Sequence, residues 1–286
     1  MNARTINLTA LAMLCFAANS VLCRLALAPD LIDPAGFTFV RVLSAAAILT
    51  LILLVKRGRR PALGRASLRS VAALFGYIGF FSFAYVRLDT GTGALILFGA
   101  VQFTMFAVAL REGDRFPALA WLGLAIAVGG LVYLVLPGLS APDPLGAALM
   151  TISGISWGWF SLLGRGADHP EETIAANFIC CLPPAILLSA VNYTALQASA
   201  PGLLLAVISG AVTSGLGYAI WYAALRGLKA GQAATVQLSV PAIAAAGGVI
   251  LLAEPLTARL VVASAAMLGG IAIVLMQRQK SAGGGG

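Results

Sequence analysis

The side chains in this sequence that are best suited to contact a small molecule are aromatic residues and amides placed inside long apolar segments. Tyr77, Phe81 and Tyr85 recur every four residues, a spacing that puts them on one face of a helix. Ring faces and amide dipoles bind and orient a ligand, whereas bond-breaking chemistry needs paired acids, bases or nucleophiles. The pattern therefore predicts a binding site rather than a catalytic one.

The candidate binding residues lie within apolar segments, where an N–H or O–H without a partner is costly, although Trp221 is placed where an interfacial aromatic belt would be. They are Asn19, Tyr77, Phe81, Gln102, Trp157, Phe160, Tyr218, Trp221, Gln237 and Ser239. In a helix, Pro241 would free the backbone carbonyl of Gln237, which together with Ser239 would make a polar notch. For the aromatic members, cavity lining and ordinary packing both remain open, and interhelical hydrogen bonding is the alternative role for the amides.

Signatures of catalysis, nucleotide binding and metal binding are missing from the sequence. It contains neither HExxH nor GxxxxGK[ST]. The four cysteines lie in apolar segments without CxxC spacing, which is typical of buried thiols rather than of a disulfide framework or a zinc site; they are Cys15, Cys23, Cys180 and Cys181. We therefore predict no enzymatic activity, no metal site and no cofactor.

Composition identifies the solvent in which these residues lie. The chain is 60% hydrophobic and only 10% charged, with a mean hydropathy of +0.96, whereas soluble domains carry about 25% charged residues. The net charge of +8 comes from basic residues clustered between apolar segments, not spread over a face as in nucleic-acid-binding proteins. The predicted partners are therefore the lipid bilayer and a small molecule, and nucleic acid is excluded.

Ten apolar segments are about long enough to cross a bilayer as helices, which takes roughly 20 residues. They cover roughly 6–28, 36–55, 67–88, 91–111, 116–136, 143–164, 171–192, 201–225, 231–252 and 257–276. The connections between them are short. The predicted fold class is an all-α integral membrane protein with ten transmembrane helices.

The basic residues predict the orientation, because cytoplasmic loops retain Lys and Arg. Fourteen of them fall on the side of the termini: Arg4, Lys56, Arg57, Arg59, Arg60, Arg65, Arg69, Arg111, Arg115, Arg165, Arg226, Lys229, Arg278 and Lys280. Four fall on the other side: Arg24, Arg41, Arg87 and Arg259. We expect both termini in the cytoplasm. Arg24 and Arg41 either snorkel to the outer interface or meet a carboxylate at the outer mouth of a pathway.

An internal repeat is visible when the two halves are compared. A shift of 140 residues superposes Gly91 on Gly231 in the last two spans of each half, and shifts of 141 and 136 align the first and second spans. Because each repeat has an odd number of spans, the second is inverted, a plan that places binding sites near the midplane. The predicted units are 1–136 and 143–276, with 281–286 as a linker or tag remnant.

Acidic residues bear on energy coupling, since a proton-driven antiporter usually needs an ionisable relay inside the membrane. All ten acidic residues map to loops or span ends, and the lone His169 lies in a loop. We therefore predict a facilitative transporter, or an exchanger, without an intramembrane proton relay.

The stretch AGQAATVQLSVPAIAAAGGVILLAEPLT (230–257), the five-helix repeat and the Gly-Gly pair in each closing helix resemble the drug/metabolite transporter superfamily, specifically its EamA-type ten-helix branch. Within that branch the chain is similar to the aromatic amino-acid exporter subgroup named YddG. Two positions depart from the repeat pattern, with Val101 in place of a mid-helix proline and Asp114 in place of glutamate.

The resemblance implies an inner-membrane exporter of amino acids and related metabolites, with a cavity between the halves. We expect spans 1, 3, 4, 6, 8 and 9 to line the cavity and Gly91, Gly231 and Pro241 to serve as hinges for alternating access. One alternative is a carrier for phosphorylated sugars or nucleotide sugars, which would need Lys or Arg deep in the cavity, where the sequence places none. The other alternative is a non-transporting membrane scaffold.

Overall fold

The computed structural model describes residues 3–58, 60–114, 116–138, 140–165, 167–228 and 230–283. Three of the basic residues that predict the orientation lie outside the described residues: Arg59, Arg115 and Lys229. The last three residues of the predicted tail, 284–286, also lie outside them. The same holds for the side chains of Arg57, Arg278 and Lys280.

Ten helical spans in the described ranges are long and apolar enough to cross a membrane. Seven are single α-helices: span 1 (Ala3–Leu27), span 2 (Pro34–Arg57), span 3 (Leu68–Tyr85), span 4 (Thr90–Arg111), span 5 (Ala118–Val135), span 6 (Pro144–Leu163) and span 10 (Ala258–Gly283). Three are interrupted: span 7 (Pro170–Cys180 and Leu182–Val191), span 8 (Ala200–Ile208, a π-helix Ser209–Leu216, and Gly217–Leu225) and span 9 (Ala230–Gln237 and Ser239–Leu252). The prediction of an all-helical, ten-span protein is confirmed.

Local sequence explains where several spans begin. Spans 2 and 6 both start at an Asp-Pro pair, in which the proline takes the first helical position and the aspartate caps the free N–H groups. The Asp33 carboxylate accepts from Gly36 N at 2.8 Å, and the Asp143 carboxylate accepts from Gly146 N at 2.7 Å. Ser67 caps span 3 in a reciprocal capping box with Ser70.

The two halves pack through exchanged pairs of spans. Span 6 packs on spans 3 and 4, and correspondingly span 1 packs on spans 8 and 9; span 5 pairs with span 10, and span 2 with span 7. Each of these contacts has an equivalent in which every span is exchanged for its repeat counterpart, span 1 for span 6, span 2 for span 7 and so on. This is the pattern that two five-helix repeats related by a two-fold axis produce, and it agrees with the predicted two-repeat architecture.

The bundle is tightly packed inside and apolar outside. A Cβ at Gly123 would lie 2.7 Å from the Gly270 carbonyl oxygen, so the backbones of spans 5 and 10 touch, while Gly269 has nothing within 4 Å. Large apolar side chains cover the perimeter, among them Leu68 and Ile250, which are 86% and 78% exposed. So much exposed apolar surface is stable only against lipid, so this is a multi-pass membrane protein.

Two sides of the bundle can be distinguished by their loops. On the side where span 1 begins, called here the terminus side, the loop after span 8 approaches closely, because a Cβ at Gly227 would overlap Thr5. On the opposite side, called here the far side, the loop before span 2 is joined to the loop before span 8 by backbone hydrogen bonds, including Ser199 N to Leu31 O at 2.8 Å.

Candidate substrate cavity

A small cavity lies between the two halves of the bundle. Its lining comes from spans 1, 2, 3 and 4 of the first half and spans 6 and 8 of the second. The free space inside is about 10 Å³, which corresponds to about one water molecule. The protein is therefore described in a contracted conformation, and a larger ligand needs the halves to move apart.

Arg41 is the charged residue of this cavity, and it is only 1% exposed. Its Nε donates to Ser214 Oγ at 3.1 Å and its Nη2 to Tyr77 Oη at 3.0 Å. The guanidinium carbon also lies 5.3 Å and 5.0 Å from the ring centres of Tyr77 and Phe81, within cation–π range. The predictions that Arg41 snorkels to the interface or lies at the outer mouth are wrong, because the side chain points inward to these partners.

The backbone of span 8 packs directly against the backbone of span 2 at Arg41. Gly210 lies against span 2 so closely that a Cβ there would overlap both Ser44 Oγ and the Arg41 carbonyl oxygen. Gly210 belongs to the π-helix Ser209–Leu216, a rare geometry that occurs frequently at functional sites. The wider turn carries Ser209, Thr213 and Ser214 toward the cavity region, where all three are buried.

Asn19 connects span 1 to this π-helix. Its Oδ1 accepts from Ser209 Oγ at 2.7 Å and from Thr213 Oγ1 at 3.1 Å, and its Nδ2 donates to Tyr77 Oη at 3.4 Å. These bonds satisfy buried polar atoms from three spans that would otherwise destabilise the interior. Asn19 thus joins both halves of the protein beside Arg41.

Aromatic rings form the rest of the lining, with Trp157 at their centre. Trp157 stacks on Tyr77 at 5.6 Å and makes edge contacts with Phe16 at 5.9 Å and Phe98 at 5.2 Å. Its indole N–H donates to Tyr218 Oη at 2.8 Å. Such ring pairs contribute about 0.5–1.5 kcal/mol each beyond the area they bury, so the cluster is a stable wall for an apolar ligand group.

The predicted binding residues divide between the cavity and other places. Five of them line it together: Asn19, Tyr77, Phe81, Trp157 and Tyr218. Trp221 is buried beside it, in edge contact with Phe16 at 5.9 Å, and Phe160 is buried in the same core without being part of the lining. Gln102 lines a different cavity, together with residues of spans 5, 9 and 10.

The polar notch predicted in span 9 does not reach the cavity. The helix is interrupted at Leu238 as expected, but Gln237 is half-buried, and Ser239 is exposed with its hydroxyl donating to Val236 O of its own span at 2.7 Å. The expectation that span 9 lines the cavity is therefore wrong for the described conformation, in which span 2 takes that place through Arg41.

The three hinge candidates lie in spans 4 and 9. Gly91 has a packing role, because a Cβ there would lie 2.7 Å from the Ala245 Cβ of span 9. Pro241 is buried in the second segment of span 9, just after the interruption. Gly231 lies in the first segment, Ala230–Gln237, and its surroundings are outside the described part of the chain.

A cluster of hydrogen bonds and ion pairs joins the ends of several spans on the far side. The Glu254 carboxylate accepts from Thr90 N at 2.8 Å and Thr90 Oγ1 at 3.1 Å, and it pairs with Arg24 at 3.4 Å. Burial raises the pKa of Glu254, with nearby Asp89 adding to the rise, while the Thr90 hydrogen bonds and Arg24 oppose it. This cluster ties the ends of spans 1 and 4 to the loop before span 10.

The terminus side carries ion pairs as well. There Arg165, the repeat counterpart of Arg24, lies 3.7 Å from Glu112, and both side chains are at least half exposed. Exposed pairs of this kind contribute about 0–1 kcal/mol. On the same side Arg65 Nε lies 2.7 Å from the Glu172 carboxylate, which is only 3% exposed, so neither side of the bundle is held by exposed pairs alone.

Three features of the site were missed by sequence reasoning. Arg41 had a signal, since it lies seven residues after Pro34, about 10 Å into an apolar helix. Phe16 had one in the shift of 141 residues, which superposes it on Trp157. Phe98 had none, because aromatic residues are common on every face of a membrane helix. The hydroxyls of span 8 depend on a π-helix, which no periodicity rule anticipates. No group of three or more metal-ligating side chains occurs in the described ranges.

Comparison with known proteins agrees with this architecture. The EamA-like transporter family matches residues 4–136 and 144–276. An uncharacterised protein of Pseudomonas aeruginosa is 51% identical over 90% of this chain and 89% of its own length. The threonine/homoserine exporter RhtA of Escherichia coli is 33% identical over 55% of each chain.

A solved crystal structure supports the fold alone, since it superposes on 98% of this chain and 100% of its own with a TM-score of 0.66 at 16% identity. The two family matches together cover nearly all of the ten spans, one match to each half. The protein is therefore a transporter and not an enzyme. The chain belongs to the EamA-like transporter family, within the drug/metabolite transporter superfamily.

Proposed function

We propose that the protein exports amino acids and related metabolites across the bacterial inner membrane, with aromatic amino acids as preferred substrates. The observation that carries this proposal is the cavity between the halves, where Trp157 and Tyr77 stack beside the polar group of Asn19 and Arg41. Rings bind the apolar part of an amino acid, and the polar group binds its charged end. Relatives named as threonine/homoserine exporters support the amino-acid class, and the resemblance to the YddG subgroup supports the aromatic preference.

Transport would proceed by alternating access, with the repeats 1–136 and 143–276 rocking against each other. In the proposed orientation both termini are cytoplasmic, so the far side faces outward. The Glu254 cluster then lies on the outer side, and the Arg165–Glu112 and Arg65–Glu172 pairs lie on the cytoplasmic side. Each set of pairs would have to separate when its own side opens.

The proposed energy coupling is facilitative. The cavity lining contains no acidic residue and no histidine, so an imported proton has no carboxylate or imidazole to neutralise inside it. Net flux would then follow the gradient of the substrate. A transport rate in proteoliposomes that depended on an imposed pH gradient would contradict this coupling.

The substrate class is tested by counterflow in proteoliposomes containing the purified protein. We expect labelled phenylalanine to accumulate in vesicles preloaded with phenylalanine, tryptophan or tyrosine, and less in vesicles preloaded with threonine. Empty vesicles and vesicles preloaded with glucose 6-phosphate are the controls. A parallel series with labelled glucose 6-phosphate outside the vesicles tests the alternative carrier, and accumulation of that label alone would favour it. No accumulation of either label would favour a membrane scaffold.

The position of Arg41 changes the argument against a carrier for phosphorylated sugars. The absence of a deep basic residue was the argument against it, and that argument no longer holds, because Arg41 is buried in the cavity. The lining nonetheless contains one cation and several rings, a combination that suits a singly charged aromatic ligand better than a sugar phosphate.

The hinge proposal predicts that Pro241→Ala slows counterflow about tenfold, equivalent to about 1.4 kcal/mol on the barrier. Alanine would restore the N–H that proline lacks and so allow the interruption at Leu238 to close into a continuous, stiffer helix. Its repeat counterpart, Val101, lies in an uninterrupted helix, and Val101→Ala should stay within about twofold of wild type. Similar rates for the two variants would contradict the hinge.

A further inference from the structure

We propose that Arg41 binds the carboxylate of the transported molecule, and that the ligand class is a monovalent organic carboxylate whose amino group is dispensable. This inference rests on the proposed function in one respect only, namely that the cavity is the transport site. It goes further by assigning the charge of the ligand and the residue that recognises it.

The first argument is charge balance. Arg41 is 1% exposed, and within the described ranges no carboxylate lies within ion-pair distance of it. The acidic residue nearest in sequence, Asp33, serves as the cap of span 2. A buried charge without a partner is strongly unfavourable unless something neutralises it. The compensating anion must therefore come from outside the described protein, and a transported ligand is the component that enters this cavity.

The second argument is hydrogen-bonding geometry. Nε is bound to Ser214 and Nη2 to Tyr77, whereas Nη1 is, among the described residues, the one buried side-chain nitrogen or oxygen without a partner. A guanidinium binds a carboxylate through two parallel N–H groups. The Nη1–Nη2 edge is the edge left for this purpose, because Nη2 has a second N–H. The rings of Tyr77 and Phe81 hold the guanidinium in place.

The third argument concerns what the cavity lacks. Its lining has no aspartate or glutamate to receive an ammonium group, and the Asn19 Oδ1 acceptor already receives two hydroxyl hydrogen bonds. The carboxylate of a zwitterion would pair with Arg41, but its ammonium group would leave one net positive charge in the cavity, whereas a monoanion would leave none. The amino group of an amino acid is therefore tolerated here rather than required.

The balance of charge in the cavity also favours carboxylates over phosphate esters as ligands. A phosphate monoester carries about −1.5 to −2 charges at neutral pH, and the lining offers one cation. Binding such a group would leave excess negative charge in an apolar enclosure. One arginine flanked by stacked rings instead matches an aryl or alkyl group that ends in a single carboxylate.

The test is a set of ligands that share a phenyl ring and carry different charged groups. Intrinsic tryptophan fluorescence of the purified protein is titrated with phenylalanine, 3-phenylpropanoate, phenylalaninamide and phenyl phosphate. We expect 3-phenylpropanoate to bind at least as tightly as phenylalanine, and the other two to bind about tenfold more weakly or worse. Phenylalaninamide or phenyl phosphate binding as tightly as 3-phenylpropanoate would overturn the proposal. This series uses the wild-type protein and needs no mutant to fold.

The failure of the proposed function is distinguishable from the failure of this inference. If 3-phenylpropanoate binds but labelled phenylalanine is not transported, the amino-acid substrate is wrong and the Arg41 site stands. If phenylalanine is transported and phenylalaninamide competes equally well, the transport function stands and the Arg41 site is wrong.

Variants give a second, independent measurement. We expect Arg41→Gln to weaken 3-phenylpropanoate about 10- to 100-fold while changing phenylalaninamide little, and Arg41→Lys to recover only part of the loss because it cannot bind through two parallel N–H groups. The matched control is Arg259→Gln, since Arg259 also lies over an aromatic ring, 5.6 Å from the centre of Tyr133, but is outside the cavity. Equal weakening of both ligands by Arg41→Lys would indicate a purely structural role and overturn the assignment.

Discussion

Gly210→Ala is expected to lower the folded yield of the protein severely, although it adds a single methyl group. The new Cβ would overlap the Arg41 carbonyl oxygen and Ser44 Oγ. A backbone oxygen cannot move aside without shifting span 2, so the cost belongs at the upper end of the about 1–3 kcal/mol typical of overpacking, or above it. The measurement is the fraction of monodisperse protein after detergent extraction, together with its melting temperature.

The control for this variant is Gly79→Ala, the same chemical change in the middle of span 3, where nothing lies within 4 Å of the added atom. It should leave yield and melting temperature nearly unchanged. Adding Ser44→Ala to Gly210→Ala should restore part of the loss, because it removes one of the two overlaps. If Gly210→Ala were as stable as Gly79→Ala, spans 2 and 8 would not approach as closely as described.

Trp157→Ala is expected to have the largest effect on transport outside Arg41. Trp157 is 7% exposed, contacts three rings and supplies the hydrogen bond to Tyr218. Truncation of a buried tryptophan costs about 3–5 kcal/mol. The loss of the stacked wall should also reduce counterflow of labelled phenylalanine more than about tenfold, which corresponds to about 1.4 kcal/mol.

Two further variants separate packing from hydrogen bonding. Trp157→Phe keeps an aromatic ring but loses the indole N–H, so it should cost about 1 kcal/mol and reduce transport less than Trp157→Ala. Trp159→Ala, two residues along the same span, is the control because Trp159 is 44% exposed on the perimeter. A transport defect in Trp159→Ala equal to that in Trp157→Ala would show that the effect is not specific to the cavity.

Much of the fold could be predicted because composition and helix length dominate in a membrane. Any stretch of about 20 apolar residues must form a helix there, since lipid offers no partner for backbone groups. The ten spans follow from that constraint, and the interruption near Pro241 follows from the N–H that proline lacks. The π-helix of span 8 does not, because it depends on span 2 packing against Gly210 rather than on local sequence.

The binding site was predictable only in part, for a reason that Gln102 and Gln237 illustrate. Both are amides in the middle of apolar helices, as Asn19 is, yet Asn19 lines the cavity and the other two do not. Helical periodicity says which residues share a face, but not which face turns toward the centre when all faces are apolar. The location of the Arg41 side chain was predicted wrongly from its depth in span 2, because the sequence cannot show whether a long side chain extends toward the interface or toward the core.

The size of the cavity has a consequence for the energetics of the cell. Protons cross membranes along continuous files of water, and a space of about 10 Å³ holds about one water molecule, too few to form such a file here. The charge of Arg41 at the same point repels protons and metal cations, as fixed positive charges do in selective pores. In its contracted state the transporter should therefore be electrically silent. A cell could carry many copies without dissipating its membrane potential.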